Sequence, residues 1–210
     1  MPQAVAILKR EEPHIAAIVL AAGRSTRMGE ENKLLADIGG GTMLRRVAES
    51  ALASGARPVL VVTGHQEAGV RAALAGLDVS LVPNPEFASG LASSLKAGVR
   101  AVPEACAGAL VVLGDMPQIA ACHLDRLIAE FVPGTIVVPV HKGKQGNPVL
   151  WPRSHFPKLL QLEGDAGAKR LIAAHRAQVR EVEMETAAIF ADVDTPEELR
   201  RLRDGRRGGR

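Results

Sequence analysis

Short apolar runs alternate with longer amphipathic stretches along the chain. Five runs rich in Val, Ile and Leu are four to six residues long, which is typical of strands that are buried on both faces of a sheet. These predicted strands span residues 15–20, 59–62, 79–82, 109–113 and 135–140. We expect each of them to be covered on both faces.

Helical periodicity fills the segments between the runs. Apolar residues at spacings i, i+3, i+4, i+7 and i+8 predict a helix through Leu44, Val47, Ala48, Ala51 and Leu52. Thr42 is suited to begin this helix and Gly55 to end it. Similar spacing recurs at Leu124, Leu127, Ile128 and Phe131. Because alternating strands and helices are joined by right-handed crossovers, the pattern predicts an α/β sandwich with a mostly parallel sheet.

The last third of the chain departs from this alternation. Residues 143–151 predict a turn followed by a short strand, and residues 179–184 predict another strand, so we expect antiparallel additions to the sheet there. We interpret residues 15–203 as a single domain, residues 1–14 as a short leader, and residues 204–210 as a basic, frayed tail.

The composition is that of a packed globular protein, with 47% hydrophobic and 23% charged residues. The longest uninterrupted apolar run covers eight residues, 15–22, whereas a membrane-spanning helix requires about 18 to 20. No segment near the N-terminus has the basic, apolar and small-residue parts of a secretory signal. We therefore expect a cytoplasmic protein with no membrane partner.

The positive charge is concentrated at one end of the chain. The net charge is +3 and the isoelectric point about 9.1, but residues 199–210 alone carry six arginines and one aspartate. The rest of the chain is therefore slightly acidic. With only 2% aromatic residues available for stacking on bases, we expect no nucleic-acid partner.

The sequence also lacks the motifs of disulfide scaffolds and zinc sites. The two cysteines, Cys106 and Cys122, are not arranged as C-x-x-C, and no H-E-x-x-H motif occurs among the six histidines. We therefore predict neither a disulfide scaffold nor a zinc site.

A loop of small and basic residues follows the first predicted strand. The segment L-A-A-G-R-S-T-R-M-G covers residues 20–29, and Lys33 comes four residues later. Small residues let backbone N–H groups approach an anion, while Arg24, Arg27 and Lys33 supply positive charge for a polyphosphate. The spacing is that of neither a Walker A loop nor the G-x-G-x-x-G of nicotinamide-dependent oxidoreductases. We predict a triphosphate-binding loop.

Two acidic segments are candidates for a metal site. Asp115 follows the fourth predicted strand, where a carboxylate can hold Mg²⁺ against a phosphate, although it could also cap the following turn. In D-V-D-T-P-E-E, residues 192–198, Thr195, Pro196 and Glu198 have the pattern of a helix capping box. Asp194 then remains as a second metal ligand, with Asp192 as the alternative.

Together these motifs resemble a known family. L-A-A-G-R-S-T-R-M-G with its later Lys, L-G-D-M-P and D-V-D-T-P-E-E are similar, in order and spacing, to the signatures of molybdenum cofactor nucleotidyltransferases, which are MobA-like enzymes that attach CMP or GMP to molybdopterin. The resemblance covers about residues 15–203. It implies a Rossmann-like three-layer fold of the nucleotide-diphospho-sugar transferase type, Mg²⁺ as cofactor, a nucleoside triphosphate and molybdopterin as substrates, and transient contact with a molybdoenzyme or its chaperone.

The resemblance also implies roles for individual residues. Arg24, Arg27, Lys33 and Asp115 would be catalytic, and Asp115 and Asp194 would hold the metal. The nucleotide would contact Leu20, Ala21, Ala22, Gly23, Arg24, Lys33, Asn84, Gly90, Ser93 and Ser94. Asn147 and Asp165 would face the acceptor. For Asn84 and the two serines, a turn and helix N-capping are equally good interpretations, and a hairpin turn and a helix cap compete for Asn147 and Asp165.

One residue favours CTP over GTP as the substrate. The cytidylyl branch of the family tends to have A-A-G where the guanylyl branch has A-G-G, and this chain has Ala21-Ala22-Gly23. The extra methyl group would narrow the floor of the base pocket, an effect worth only about 1 kcal/mol. The expected reaction is CMP transfer from CTP to molybdopterin. Guanylyl transfer and a different phosphorylated acceptor remain as alternatives.

Overall fold

The computed structural model describes residues 13–23, 32–164 and 167–207. Its eight strands form one sheet with the order β3-β2-β1-β4-β7-β5-β6, and β8 lies beside β5. The strands are β1 (Ile15–Leu20), β2 (Val59–Thr63), β3 (Ser80–Pro83), β4 (Gly108–Leu113), β5 (Ile136–His141), β6 (Lys144–Gln145), β7 (Val149–Pro152) and β8 (Val179–Glu183).

The sheet is mostly parallel, which confirms the predicted α/β class. Strand β1 pairs in parallel with both β2 and β4, and β2 pairs in parallel with β3. Strand β7 is antiparallel to β4 and β5, as expected for the strand that follows the turn near residue 143. The carboxyl ends of β1, β2, β4 and β5 therefore lie along one edge of the sheet.

Seven α-helices occur within the described residues, and all but the last of them lie between strands. They are α1 (Met43–Ala53), α2 (Glu67–Ala73), α3 (Leu91–Ala101), α4 (Ala121–Ala129), α5 (Phe156–Leu159), α6 (Gly167–Ala174) and α7 (Pro196–Arg207). Short 3₁₀ helices cover Lys33–Leu35, Phe87–Ser89, Arg153–His155, Arg176–Gln178 and Ala187–Phe190. The predicted start of α1 is confirmed, because the Thr42 hydroxyl accepts a hydrogen bond of 3.2 Å from the Arg45 N–H.

The central strands are covered on both faces. Along β1, Ile15, Ala17 and Val19 pack into one apolar cluster, whereas alternate residues such as Ile18 and Leu20 pack into a second cluster across the sheet. Two helical layers therefore enclose the sheet, as in the predicted sandwich. Among the described residues, no helix is both long and apolar enough to cross a lipid bilayer.

Three local predictions are wrong. Strand β3 is not covered on both faces: Ser80 and Pro83 are exposed, because β3 is an edge strand with β2 as its neighbour. Strand β8 pairs in parallel with β5, not antiparallel, because β7 ends at the edge of the sheet where β5 begins, and the helical segments after β7 return the chain to that same edge. Helix α7 continues to Arg207, so residues 204–207 are helical where a frayed tail was expected.

Candidate active site

Lys33 lies between the two carboxylates that the sequence assigns to a metal. Its Nζ atom is 2.7 Å from Oδ2 of Asp115 and 2.6 Å from Oδ1 of Asp194. The structure therefore brings the two acids together on one cation, although they are far apart in the chain. The sequence predicts Lys33 as a phosphate ligand and gives no sign of this double ion pair.

Asp115 is positioned by a close approach between β1 and β4. The N–H of Gly114 donates a 3.0 Å hydrogen bond to the carbonyl oxygen of Leu20, the last residue of β1. A Cβ atom at residue 114 would lie only 2.7 Å from that oxygen, so a larger residue would push the strands apart. Glycine at this position thus fixes Asp115 at the carboxyl edge of the sheet.

Asp194 is positioned by the start of α7. The N–H of Val193 donates to the carbonyl oxygen of Asp115 at 3.0 Å. The Glu198 carboxylate accepts from the N–H groups of Asp194 and Thr195, at 2.8 and 2.9 Å, and the Thr195 hydroxyl accepts from the Glu198 N–H at 3.2 Å. The predicted capping box is therefore confirmed. The two backbone donors also lower the pKa of Glu198.

Lys33 begins a 3₁₀ helix that anchors it to the core. The Asn32 side chain caps this helix by accepting from the Leu34 N–H at 3.1 Å, and Leu34 is only 4% exposed. Burial by itself would lower the pKa of Lys33, but the charges and hydrogen bonds of Asp115 and Asp194 outweigh burial and raise the pKa. Lys33 is therefore an ammonium ion in this site.

The oxygen atoms of this site fit a divalent cation. Oδ1 of Asp115 is buried and has no hydrogen-bond partner within the described residues. Carboxylate oxygens are the ligands that Mg²⁺ prefers, commonly one or two of them together with phosphate oxygens and water. Since no cluster of three or more His, Cys, Asp or Glu side chains is found in the described part of the chain, phosphate and water would supply the other ligands.

Asp192 lies near Asp115 and Asp194, and it also lines a neighbouring cavity. Burial raises the pKa of Asp192, and the charges of Asp115 and Asp194 raise it further. The cavity has a volume of about 530 Å³ and is lined by Gln118, Phe190, Asp192 and Arg201 among others. Sequence analysis does not identify Gln118, Phe190 or Arg201, because nothing in the local pattern distinguishes them from ordinary surface residues.

The predicted nucleotide-binding segment begins in the core and ends at the surface. Leu20, Ala21 and Ala22 are 7, 0 and 1% exposed, and Gly23 is exposed. The Ala22 methyl group packs beneath Gly64, where an added Cβ atom would lie 2.9 Å from it. The Ala22 methyl group is therefore part of the core, and the narrowing of a base pocket by this group stays a prediction. Arg24 and Arg27 lie outside the described residues.

Asn84 makes hydrogen bonds inside the protein. Its Nδ2 donates to the hydroxyl oxygens of Ser93 and Ser94, at 2.9 and 3.1 Å, and its Oδ1 accepts from the Glu86 N–H at 3.1 Å. The turn at Asn84 is thus present. The serines do not cap α3, whose N-cap is Gly90 with a φ of 108°. A base that accepts from the Asn84 amide nitrogen would have to replace one of these internal partners, because both of its N–H groups are already used.

The two predicted acceptor residues lie in different surroundings. Asn147 is half-buried, and its N–H donates to the carbonyl oxygen of Ile189 at 3.0 Å, one residue before Phe190 of the cavity. Asp165 is outside the described residues. The neighbouring Gly164 accepts at 3.1 Å from the N–H of Ala92, at the start of α3.

A mostly parallel α/β sheet with a candidate site beyond the carboxyl ends of its central strands has a Rossmann-like arrangement, in which ligands bind at that edge of the sheet. The chain belongs to the MobA-like NTP transferase family, whose domain matches residues 17–179. The implied fold of the nucleotide-diphospho-sugar transferase type is confirmed.

Similar proteins have several different names. The molybdenum cofactor cytidylyltransferase of Escherichia coli (strain K12) is 30% identical over 88% of this chain and 93% of its own length. Purine catabolism protein PucB of Bacillus subtilis (strain 168) is also 30% identical, over 91% and 97%. Nicotine blue oxidoreductase of Paenarthrobacter nicotinovorans is 28% identical, over 90% and 97%.

Solved structures share the whole fold. Rv0371c from Mycobacterium tuberculosis H37Rv, in complex with manganese, superposes with a TM-score of 0.77 at 30% identity, covering 92% of this chain and all of that one. A nucleotidyl transferase from Methanothermobacter, Mth528, has a TM-score of 0.82 at 25% identity, covering 91% and 97%.

Proposed function

We propose that this nucleotidyltransferase transfers CMP from CTP to molybdopterin, forming molybdopterin cytosine dinucleotide and releasing pyrophosphate. The observation that carries the proposal is the meeting of Lys33, Asp115 and Asp194 at the carboxyl edge of the sheet. The choice of substrates is supported by 30% identity to the E. coli cytidylyltransferase over most of both chains.

The reaction exchanges one phosphorus–oxygen bond for another. An oxygen of the terminal phosphate of molybdopterin attacks the α-phosphorus of CTP, and the bond from that phosphorus to the β-phosphate oxygen breaks. Pyrophosphate leaves with the electron pair of that bond. Because the attacking phosphate is already an anion, the protein has to supply alignment and charge neutralisation rather than a strong base.

The residues of the site divide this work. Asp115 and Asp194 would hold Mg²⁺, which when bound neutralises charge on phosphate oxygens. The loop from Leu20 to Gly23, with Arg24, Arg27 and Lys33, would bind the triphosphate. The complex of a similar chain with manganese supports a divalent ion in this fold.

The rest of the nucleotide and the acceptor would lie on either side of this centre. We assign Asn84, Gly90, Ser93 and Ser94 to the nucleoside end, next to the start of α3. We assign Asn147 and Asp165 to the acceptor. The cavity beside Asp192 is open near the same edge and offers additional room for the acceptor.

The proposal is tested by incubating the purified protein with Mg²⁺, molybdopterin and each of the four common nucleoside triphosphates in turn. Of these nucleoside triphosphates, we expect only CTP to give pyrophosphate release in the presence of molybdopterin. The product should have the mass of the cytosine dinucleotide. Release with GTP would establish the guanylyl alternative. Release that requires a sugar phosphate or polyol phosphate in place of molybdopterin would establish a different acceptor.

A redox function is the alternative from another class, and it is favoured by the similarity to a protein named nicotine blue oxidoreductase. The missing G-x-G-x-x-G turn argues against a bound nicotinamide cofactor of the usual kind. A parallel assay of NADH and NADPH oxidation at 340 nm, with no nucleoside triphosphate present, separates the two classes. Oxidation without pyrophosphate release under any condition would overturn the transferase proposal.

A further inference from the structure

Lys33 contacts one oxygen atom of each of the two carboxylates, Asp115 and Asp194, that would hold a divalent cation. We propose that the Lys33 ammonium and a divalent cation compete for this carboxylate pair, so that entry of the ion releases Lys33 toward the nucleotide phosphates. This inference rests on the proposed function, which assigns the ion to the same two acids.

The geometry sets the two cations in competition for the oxygen atoms that Lys33 contacts. Lys33 Nζ is within 2.7 Å of one oxygen of each acid, and its side chain is only 11% exposed. Mg²⁺ binds oxygen at about 2.0–2.1 Å and tolerates little distortion of its ligand shell. An ammonium group and a divalent ion on the same two oxygens would be within a few ångströms of each other, where repulsion is strong in a poorly solvated site.

Lys33 also gives the site a defined shape before an ion enters. Two carboxylates at this separation repel each other, and the ammonium between them offsets that repulsion. When an ion takes its place, Lys33 still belongs to the 3₁₀ helix that follows the predicted triphosphate-binding loop in the chain, so we expect its side chain to remain near a bound triphosphate. The displaced Lys33 ammonium would then pair with a nucleotide phosphate. We therefore expect the nucleotide and the divalent ion to bind cooperatively.

A rival arrangement leaves Lys33 in place. Oδ1 of Asp115 has no hydrogen-bond partner within the described residues, and an ion bound there would not need the oxygen that Lys33 contacts. The two arrangements differ in whether Lys33 keeps its partners when the ion binds. Competition requires that loss of the ammonium strengthens ion binding and that Lys33 leaves its carboxylate partners when the ion binds, whereas a separate position leaves Lys33 in contact with both acids.

The experiment measures Mn²⁺ binding to the nucleotide-free full-length protein, from the electron paramagnetic resonance signal of free Mn²⁺. We expect Lys33→Met to bind Mn²⁺ at least about tenfold more tightly than the unmodified protein, because a contacting positive charge is removed. Lys33→Arg, which keeps the charge, should bind weakly. Lys169→Met is the matched control, since it removes an exposed lysine from α6, and it should leave the affinity unchanged.

Asp115→Asn distinguishes failure of this inference from failure of the proposed function. If Asp115→Asn abolishes binding but Lys33→Met binds no more tightly than the unmodified protein, competition is overturned and the metal site stands. If Asp115→Asn binds Mn²⁺ normally, the ion is elsewhere, and both the inference and the assigned metal site are overturned.

A second measurement follows Lys33 itself in the unmodified protein. In protein labelled with ¹³C at the lysine ε-carbon, addition of Mg²⁺ should shift the Lys33 resonance, which is assigned by its absence from Lys33→Arg. Saturating Mg²⁺ that leaves this resonance unmoved would show that the ammonium keeps its partners, and competition would be rejected.

Discussion

The backbone N–H of Val193 donates a hydrogen bond to the carbonyl oxygen of Asp115, which joins the segment before α7 to the end of β4. Val193 directly precedes Asp194 in the chain. The bond therefore holds the backbone of one candidate metal ligand beside the backbone of the other. The relative position of the two carboxylates is therefore set by main-chain structure, and only their final approach depends on Lys33.

Replacement of Asp115 should abolish turnover without unfolding the protein. Asp115→Ala removes an oxygen ligand and one of the two ion pairs of Lys33, while the backbone bonds of residues 114 and 115 remain. We expect the rate of pyrophosphate release to fall by about a hundredfold to a thousandfold, a loss typical of removing one key electrostatic group. Circular dichroism should be unchanged, and Asp78→Ala, at an exposed aspartate just before β3, should keep full activity.

The close approach at Gly114 should make this position intolerant of a side chain. Gly114→Ala places a methyl group 2.7 Å from the Leu20 carbonyl oxygen, so β1 and β4 must separate. We expect a loss of about 1–3 kcal/mol in the free energy of unfolding, measured in urea. Gly55→Ala is the control, because its Cβ atom would make only an ordinary contact of 3.6 Å with Asp125. Equal stability of the two variants would refute the steric explanation.

Loss of the α7 cap should lower stability and weaken the metal site together. Thr195→Ala removes the hydroxyl that accepts from the Glu198 N–H, and helix caps of this kind contribute about 1 kcal/mol. The first turn of α7 then holds Asp194 less firmly, so Mn²⁺ affinity should also fall. Thr195→Ser keeps the hydroxyl and should retain both properties. Normal Mn²⁺ affinity in a destabilised Thr195→Ala would separate the cap from the site.

Stability should decrease on mild acidification. Burial lowers the pKa of His123 from its ordinary value of 6.5, and its Nδ1 accepts a 3.1 Å hydrogen bond from the Ala120 N–H, which only the neutral ring can do. The unfolded chain then binds more protons than the folded one, so this contribution is fully present above pH 6.5 and is lost as the pH falls toward the lowered value.

The His123 contribution is measured by urea unfolding between pH 8 and pH 5. His123→Asn, whose amide oxygen can accept the same bond without titrating, should show a smaller loss of stability than the unmodified protein. Part of the loss should persist in this variant, because burial also lowers the pKa of His155. Identical pH profiles for the two proteins would contradict the assignment to His123.

The sequence pattern predicts the central fold well because buried strands have a local signature. Strand β1 and helix α1 occupy the expected positions, and the capping box at Thr195 and Glu198 has the expected bonds. The exposure of β3 and the direction of β8 are set by the order of strands in the sheet and by the path of the crossovers. Neither the exposure of a strand nor its direction in the sheet is encoded in the few residues of the strand itself.

The candidate site shows the same division between local and long-range information. The motifs predict Asp115 and Asp194 as partners, because Asp115 follows a buried strand and Asp194 directly precedes a helix capping box. The position of Lys33 between them depends on three segments that meet only in the folded chain. The burial of the Ala22 methyl group likewise follows from packing beneath Gly64, which the A-A-G motif does not reveal.

Helix α7 carries Asp194 just before its first turn, and the Arg203 guanidinium near its other end donates to the carbonyl oxygen of Asp37 at 2.6 Å, in the segment that follows the 3₁₀ helix of Lys33. Helix α7 therefore begins beside Asp194 and is bound near its other end to the segment that follows Lys33. A change that unwinds the last turns of α7 would therefore loosen the surroundings of an acid, Asp194, and of a base, Lys33, at once.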